Sequence, residues 1–233
     1  MTTAKTIFLD AGGVLIFPNW DRISSTLARH GVNVSAAQLA AAEPHAKREL
    51  DRSGTVRATN DEKRGWLYFN LILEHAGTTP DDATAAALAE LHAYHQHSNL
   101  WEYMPDDVLP SLRALKQLGL QLVVVSNSNG TVQAVADRLG LTECVSCVLD
   151  SFVEQVEKPD PRFFEIALSR SGADRSSTIH VGDLYEVDVV GARAAGIRPV
   201  LLDAAGLYPD ADCDRVRSLG ELVELLRSWR ASG

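Results

Sequence analysis

The sequence is poor in several things at once. Three cysteines in 233 residues are too few for a disulfide-stapled scaffold and suit a reducing compartment. No stretch approaches the roughly 18 to 20 apolar residues that span a bilayer, so no membrane partner is expected. Cations are in the minority, with 22 Lys and Arg against 31 Asp and Glu and a formal net charge of -9. A broad nucleic-acid surface needs clustered Lys and Arg, which excludes nucleic acid as a partner. A small anionic ligand is not excluded, because one local cation site outweighs the global sign. There is no internal repeat and no low-complexity linker. An export signal is missing too, since the N-terminal apolar run is short and interrupted by Asp10. A cytoplasmic location is the expectation; the oligomeric state is not legible.

What the chain has is ordinary globular material, 45% hydrophobic and 23% charged, at a length that suits one large domain or a domain carrying an insertion. Short apolar runs end abruptly in polar residues. Thr6–Leu9 ends at Asp10, Leu120–Val125 at Ser126-Asn127, Thr178–Val181 at Gly182-Asp183 and Pro199–Leu202 at Asp203. Runs such as Leu122-Val123-Val124-Val125 do not alternate and read as strands buried on both faces. Helical stretches separate them. One carries Leu112, Leu115 and Leu118 and stops at Gly119; another opens with Asp160 as cap and Pro161 at the first helical position. Others run from Val187 to Ala195 and from Leu219 to Trp229. This alternation predicts an α/β fold, a Rossmann-like parallel sheet core with helices on both faces. Between residues 18 and 103 no strand is evident. Helices are predicted near 20–30, 35–51, 60–76 and 80–98, so 18–103 reads as an inserted all-helical domain within a core of 1–17 and 104–233.

In an open parallel sheet, ligands bind beyond the carboxyl ends of the strands. Asp10, Ser126 and Asp183 occupy such ends, Lys158 lies in a loop before a helix, and Asp188 follows Asp183 by five residues. The stretches "FLDAGGVL", "VVVSNSNG", "EKPDPRFFE" and "HVGDLYEVDVVGARAAG" carry these residues in that order. Together they resemble the haloacid dehalogenase superfamily, whose members are mostly phosphohydrolases, and the position of the insertion resembles that family's helical cap. The resemblance implies Asp10 as the nucleophile on phosphorus and Lys158 as the cation beside it. It implies Ser126, Asn127 and Gly13 as substrate-binding positions. Asp10, Asp183, Asp188 and the Gly12 carbonyl would hold Mg²⁺ through hard oxygen ligands. The partner so implied is a small phosphorylated or phosphonylated metabolite.

One position departs from the pattern. Phosphatases of that family carry an aspartate two residues after the nucleophile, which protonates the leaving alcohol and then activates water; here stands Gly12. Dehalogenases also lack that acid, but they typically replace the "GD" motif, which "HVGDLYEVD" keeps. Phosphonoacetaldehyde hydrolases use a cap lysine, and the inserted segment offers Lys47 and Lys63. A Mg²⁺-dependent phosphohydrolase, a phosphonatase-like hydrolase, and a weakly active or inactive binding protein therefore all stay open. His45 is one candidate for a borrowed acid. Cys144 and Cys147 have CxxC spacing but fall in "ECVSCVLDS", which reads as a packed strand. His92, His95 and His97 cluster without an accompanying carboxylate signature, and His180 precedes "VGD" as a packed or supporting residue. Trp20, Trp66, Tyr68 and Phe69 read as helix packing.

Overall fold

The computed structural model describes residues 4–52 and 61–231. Two compact units divide the chain, Met1–Phe17 with Met104–Gly233, and Pro18–Tyr103. The first is built on six parallel strands: β1 (Thr6–Leu9), β4 (Gln121–Ser126), β5 (Cys147–Asp150), β6 (Thr178–Gly182), β7 (Arg198–Leu202) and β8 (Asp214–Val216). Their order is β5-β4-β1-β6-β7-β8. From β1 the chain goes to β4 and outward to β5, then returns to β6 on the other side of β1 and continues to β7 and β8. The strand order thus reverses between β1 and β6, the place where open α/β sheets form a ligand crevice. Register puts Leu9 level with Val124 on one side and Val181 on the other. The next residues, Asp10 and Gly182-Asp183, leave the sheet at that crevice.

Helices surround this sheet: α5 (Val108–Gln117), α6 (Val132–Arg138), α7 (Ser151–Glu154), α8 (Pro161–Ser171), α9 (Val190–Ala194) and α10 (Leu219–Ala231). Asp160 caps α8 by accepting from Arg162 N–H, with Pro161 in the first turn. That arrangement sets the chain direction just after Lys158. One side of the sheet packs Phe8, Val123, Val125 and Leu149 against Phe163, Phe164, Ala167 and Ala192.

Three local readings are corrected. The predicted helix from Val187 begins instead as a π-helical turn at Tyr185–Val189, and only Val190–Ala194 is α-helical. The stretch "ECVSCVLDS" is strand only from Cys147; Cys144 ends a 3₁₀ turn at Leu141–Glu143, and all three cysteines are free thiols. The segment expected to hold no strand contains Trp101–Tyr103 (β3), which pairs with Phe17–Pro18 (β2). Its residues are too few to show a period, which is why the pattern hid them.

The second unit holds α1 (Trp20–Arg29), α2 (Ala36–Arg52), α3 (Asp61–His75) and α4 (Asp82–Ser98). Ile23, Leu27, Leu39, Ile72 and Leu91 form its core, and Trp20, Trp66, Tyr68 and Phe69 pack with them. Lys47 is ion-paired to Glu43 at 2.7 Å, one turn earlier on α2; the side chain of Lys63 lies outside the described residues. The His45 ring lies 5.8 Å from that of His75. The three histidines of α4 diverge. His92 lies against Trp66, His95 accepts from Leu100 N–H, and His97 meets the Ala93 carbonyl. No helix among the described residues is long and apolar enough to cross a membrane.

Candidate active site

Four side chains form a buried chain at the carboxyl end of the sheet. Lys158 Nζ lies 3.0 Å from Asp10 Oδ1 and 2.8 Å from Asp188 Oδ1, and His180 Nε2 lies 2.9 Å from that same Asp188 oxygen. Lys158 and His180 are 0% exposed and Asp188 1%, so these bonds form where water does not screen them. The other Asp188 oxygen accepts from Leu184 N–H at 3.1 Å, and Asp10 Oδ1 also accepts from Ala11 N–H at 2.7 Å.

Three carboxylates, Asp10, Asp183 and Asp188, each offer an oxygen within 4.8 Å of the others. Against them stands one ammonium. Burial, with repulsion from Asp188 and Asp183 behind it, pushes the Asp10 carboxyl up to about 7 despite the pull of Lys158. Burial opposes charge on Lys158 too, yet Asp10 and Asp188 hold its pKa above the ordinary lysine value. Asp188 would also be raised by burial, but Lys158 and His180 keep it well below the usual carboxylate range. Burial lowers the pKa of His180 against the pull of Asp188. Three acids and one cation leave a formal excess of two negative charges, and the donors are hard oxygens. That set fits a divalent cation of the magnesium type.

Loop geometry positions each member. Asp188 sits on the π-helical turn, and it reaches the sheet only because Gly182 has no side chain. A Cβ on Gly182 would stand 2.0 Å from Asp188 Cγ. Gly182→Ala is therefore expected to push Asp188 off Lys158. Forced overpacking typically costs about 1–3 kcal/mol. The expected result is a lower thermal midpoint together with lost divalent-cation binding, read by thermal denaturation with and without MgCl₂. A variant that keeps both would refute this account of Gly182.

Lys158 is placed by Asn127, whose Oδ1 accepts from Lys158 N–H at 2.8 Å while its Nδ2 donates to the Lys158 carbonyl at 2.9 Å. At this position, expected to bind substrate, the Asn127 side chain is engaged on the lysine's backbone. The Ser126–Gly130 loop is clamped from β5 and α7. Ser151 Oγ accepts from Ser128 N–H, and Asp150 accepts from Gly130 and Val132 N–H. Ser126 itself is buried, its hydroxyl 3.3 Å from the Asn127 carbonyl. Gly13 serves the turn after β1: its φ is 73° and its N–H donates to the Ile16 carbonyl at 2.9 Å. A left-handed φ favours glycine there. Gly12 forms a bridge with Ile16.

Sequence reasoning missed the clamping pair Asp150 and Ser151 and gave His180 no partner. The only signal for Asp150 was its place after a strand, which a helix cap explains as well; that is also one of its tasks, since it accepts from Phe152 N–H at the start of α7.

Known proteins share this framework. The family model for haloacid dehalogenase-like hydrolases matches residues 4–196. The ribulose-1,5-bisphosphate 5-phosphatase of Halopiger xanaduensis is 36% identical over 195 residues, covering 77% of this chain and 79% of that protein. The (S)-2-haloacid dehalogenase of Pseudomonas sp. strain YL is 32% identical over 181 residues, 74% of this chain and 75% of that one. The solved structure of the HAD-hydrolase YfnB from Bacillus subtilis, bound to magnesium, superposes with a TM-score of 0.69 at 16% identity and covers 96% of this chain and 99% of that one. The match takes in the strand ends that carry Asp10 and Asp183, together with Lys158 and Asp188. This chain belongs to the haloacid dehalogenase-like hydrolase family.

Proposed function

We propose that the protein is a Mg²⁺-dependent phosphohydrolase that removes phosphate from a small phosphorylated metabolite through an aspartyl-phosphate on Asp10. The observation that carries this reading is the buried Asp10–Lys158–Asp188 chain beside Asp183, with its two surplus negative charges. The phosphatase name of the relative at 36% identity supports it and makes phosphorylated sugars the first substrates to test.

On this reading an Asp10 carboxylate oxygen attacks phosphorus as the phosphorus–oxygen ester bond breaks, and the leaving alkoxide takes a proton from solvent or from its own neighbouring groups. Water then attacks phosphorus, releasing inorganic phosphate and regenerating the Asp10 carboxylate. Lys158 opposes protonation of Asp10 and faces the negative charge that develops on the phosphoryl oxygens. Ser126, with backbone N–H groups of its loop, holds phosphoryl oxygens. Asp10, Asp183, Asp188 and the Gly12 carbonyl would hold Mg²⁺, which when bound supplies positive charge to the nucleophile and the phosphoryl group. Gly12 has no acid to give, so esters with good leaving groups turn over fastest. The Pro18–Tyr103 unit would act as a cap that selects substrate.

The test is phosphate release from an aryl phosphate and from a panel of sugar phosphates. Release is expected with MgCl₂, to stop with a chelator and to resume when Mg²⁺ is restored. A second reading, favoured by Gly12, is a site that binds a phosphorylated ligand without turning it over. It predicts saturable ligand binding and no release from any ester. Release that is indifferent to the chelator would sink the metal-dependent route.

A further inference from the structure

His180 occupies an odd place for a polar ring. It lies on β6 opposite Phe8 of β1 and Pro199 of β7. The Phe164 ring meets it edge-on, with centroids 4.9 Å apart and planes at 81°. Phe8 and Phe164 belong to the buried apolar cluster on this side of the sheet. A valine or leucine would fill the same space without desolvating two ring nitrogens. The imidazole therefore needs a reason, and the reason is two residues further along the strand. His180 and Gly182 share one face of β6. Asp188 lies where a Gly182 side chain would be and reaches back to His180 Nε2 at 2.9 Å.

The ring's protonation follows from its partners. Nε2 meets a carboxylate oxygen of Asp188 at 2.9 Å. A proton on Nε2 donates to Asp188, whereas a ring protonated on Nδ1 alone would set two lone pairs against each other at that contact. Asp188 Oδ1 then receives two donors, Lys158 Nζ from one side and His180 Nε2 from the other. With Leu184 N–H on Oδ2, the carboxylate has no rotational freedom left.

We propose that His180 is a positioning residue whose Nε2–H locks the Asp188 carboxylate so that Asp188 in turn holds Lys158 against Asp10 and keeps the acid cluster in shape for a divalent cation. This deepens the metal-dependent reading above and rests on it. Partners that orient carboxylate ligands of a metal typically cost about 10–100-fold in affinity when removed.

Two substitutions separate positioning from packing. His180→Phe keeps a ring against Phe164 and removes the donor; His180→Gln places an amide N–H near the Nε2 position. Full-length protein is titrated with MgCl₂ by calorimetry, and thermal midpoints are measured without added metal. His180→Phe is expected to weaken Mg²⁺ binding about 10–100-fold with its metal-free midpoint close to that of the parent, and His180→Gln to recover most of the loss. Undiminished Mg²⁺ binding in His180→Phe overturns the proposal. So does equal weakening in both variants with equally lowered midpoints, which marks a packing role. Asp183→Asn is the control for the underlying reading: if it binds Mg²⁺ as the parent does, or if the parent binds none, the metal site itself fails. The ring ¹⁵N shifts of His180 judge the lock independently of any metal. A protonated Nε2 supports it, and a bare Nε2 overturns it.

Discussion

Asp10→Asn is expected to bring phosphate release down to the rate without enzyme while leaving the fold intact. The amide is nearly isosteric, and its oxygen still accepts from Ala11 N–H, now 2.7 Å from Asp10 Oδ1. What disappears is the nucleophile, because an uncharged amide oxygen does not displace an alkoxide from phosphorus. Stability is protected by the second half of the chain. Breaking a buried ion pair usually costs about 3–5 kcal/mol because one charge is left without a partner, but Lys158 keeps Asp188 at 2.8 Å. The substitution also removes a carboxylate that burial and two neighbouring acids already push up to about 7. The metal-free thermal midpoint should therefore stay level or rise as activity vanishes. Measurable turnover by a folded Asp10→Asn protein would eliminate the covalent route.

The contrast between the site's residues and the bonds that hold them shows how far sequence alone reaches. Asp10, Asp183, Asp188 and Lys158 were legible because strand ends in an alternating α/β pattern converge on one rim, and four ordered motifs mark the same residues. The strands buried on both faces were legible for the same reason, being continuous apolar runs. The bonds that hold the site were not. Asn127 carries a side chain that suits a ligand as well as a backbone clamp, and only its two bonds to Lys158 separate these roles. His180 gave no sign of its partner because eight residues separate it from Asp188, and they close up only through a π-helical turn. That turn also broke the helical period from Val187 onward. Gly182 was read as part of a motif, although its physical task is to leave room for a carboxylate. In the helical unit, the sequence pattern placed the four helices of the described residues, whereas β3 has only three residues and shows no period at all.

Gly12→Asp is expected to raise turnover of unactivated sugar phosphates by about 10²–10⁴-fold, the usual worth of a positioned general acid–base. The backbone accepts the change. The left-handed φ of this turn belongs to Gly13, at 73°, and Gly12 is not among the residues with positive φ. An aspartate at 12 therefore meets none of the strain that makes glycine obligatory one position later. The carbonyl of residue 12 is kept, and the buried chain from Asp10 to His180 is untouched. The two half-reactions respond differently. An aryl phosphate needs little help to release its phenolate, so in the parent protein the phenolate should appear as a burst followed by slow hydrolysis of the aspartyl-phosphate, where water lacks a base. In Gly12→Asp that burst should merge into a faster steady state, while a sugar phosphate gains in the first step as well. Stopped-flow phenolate release and steady-state phosphate release measure the two steps separately. A folded Gly12→Asp protein with neither change would mean that Gly12 is not the limiting deficit and that the acid is already supplied from elsewhere in the parent. Gain in the second step alone would assign the missing function to water activation, with the substrate's own groups protonating the leaving oxygen.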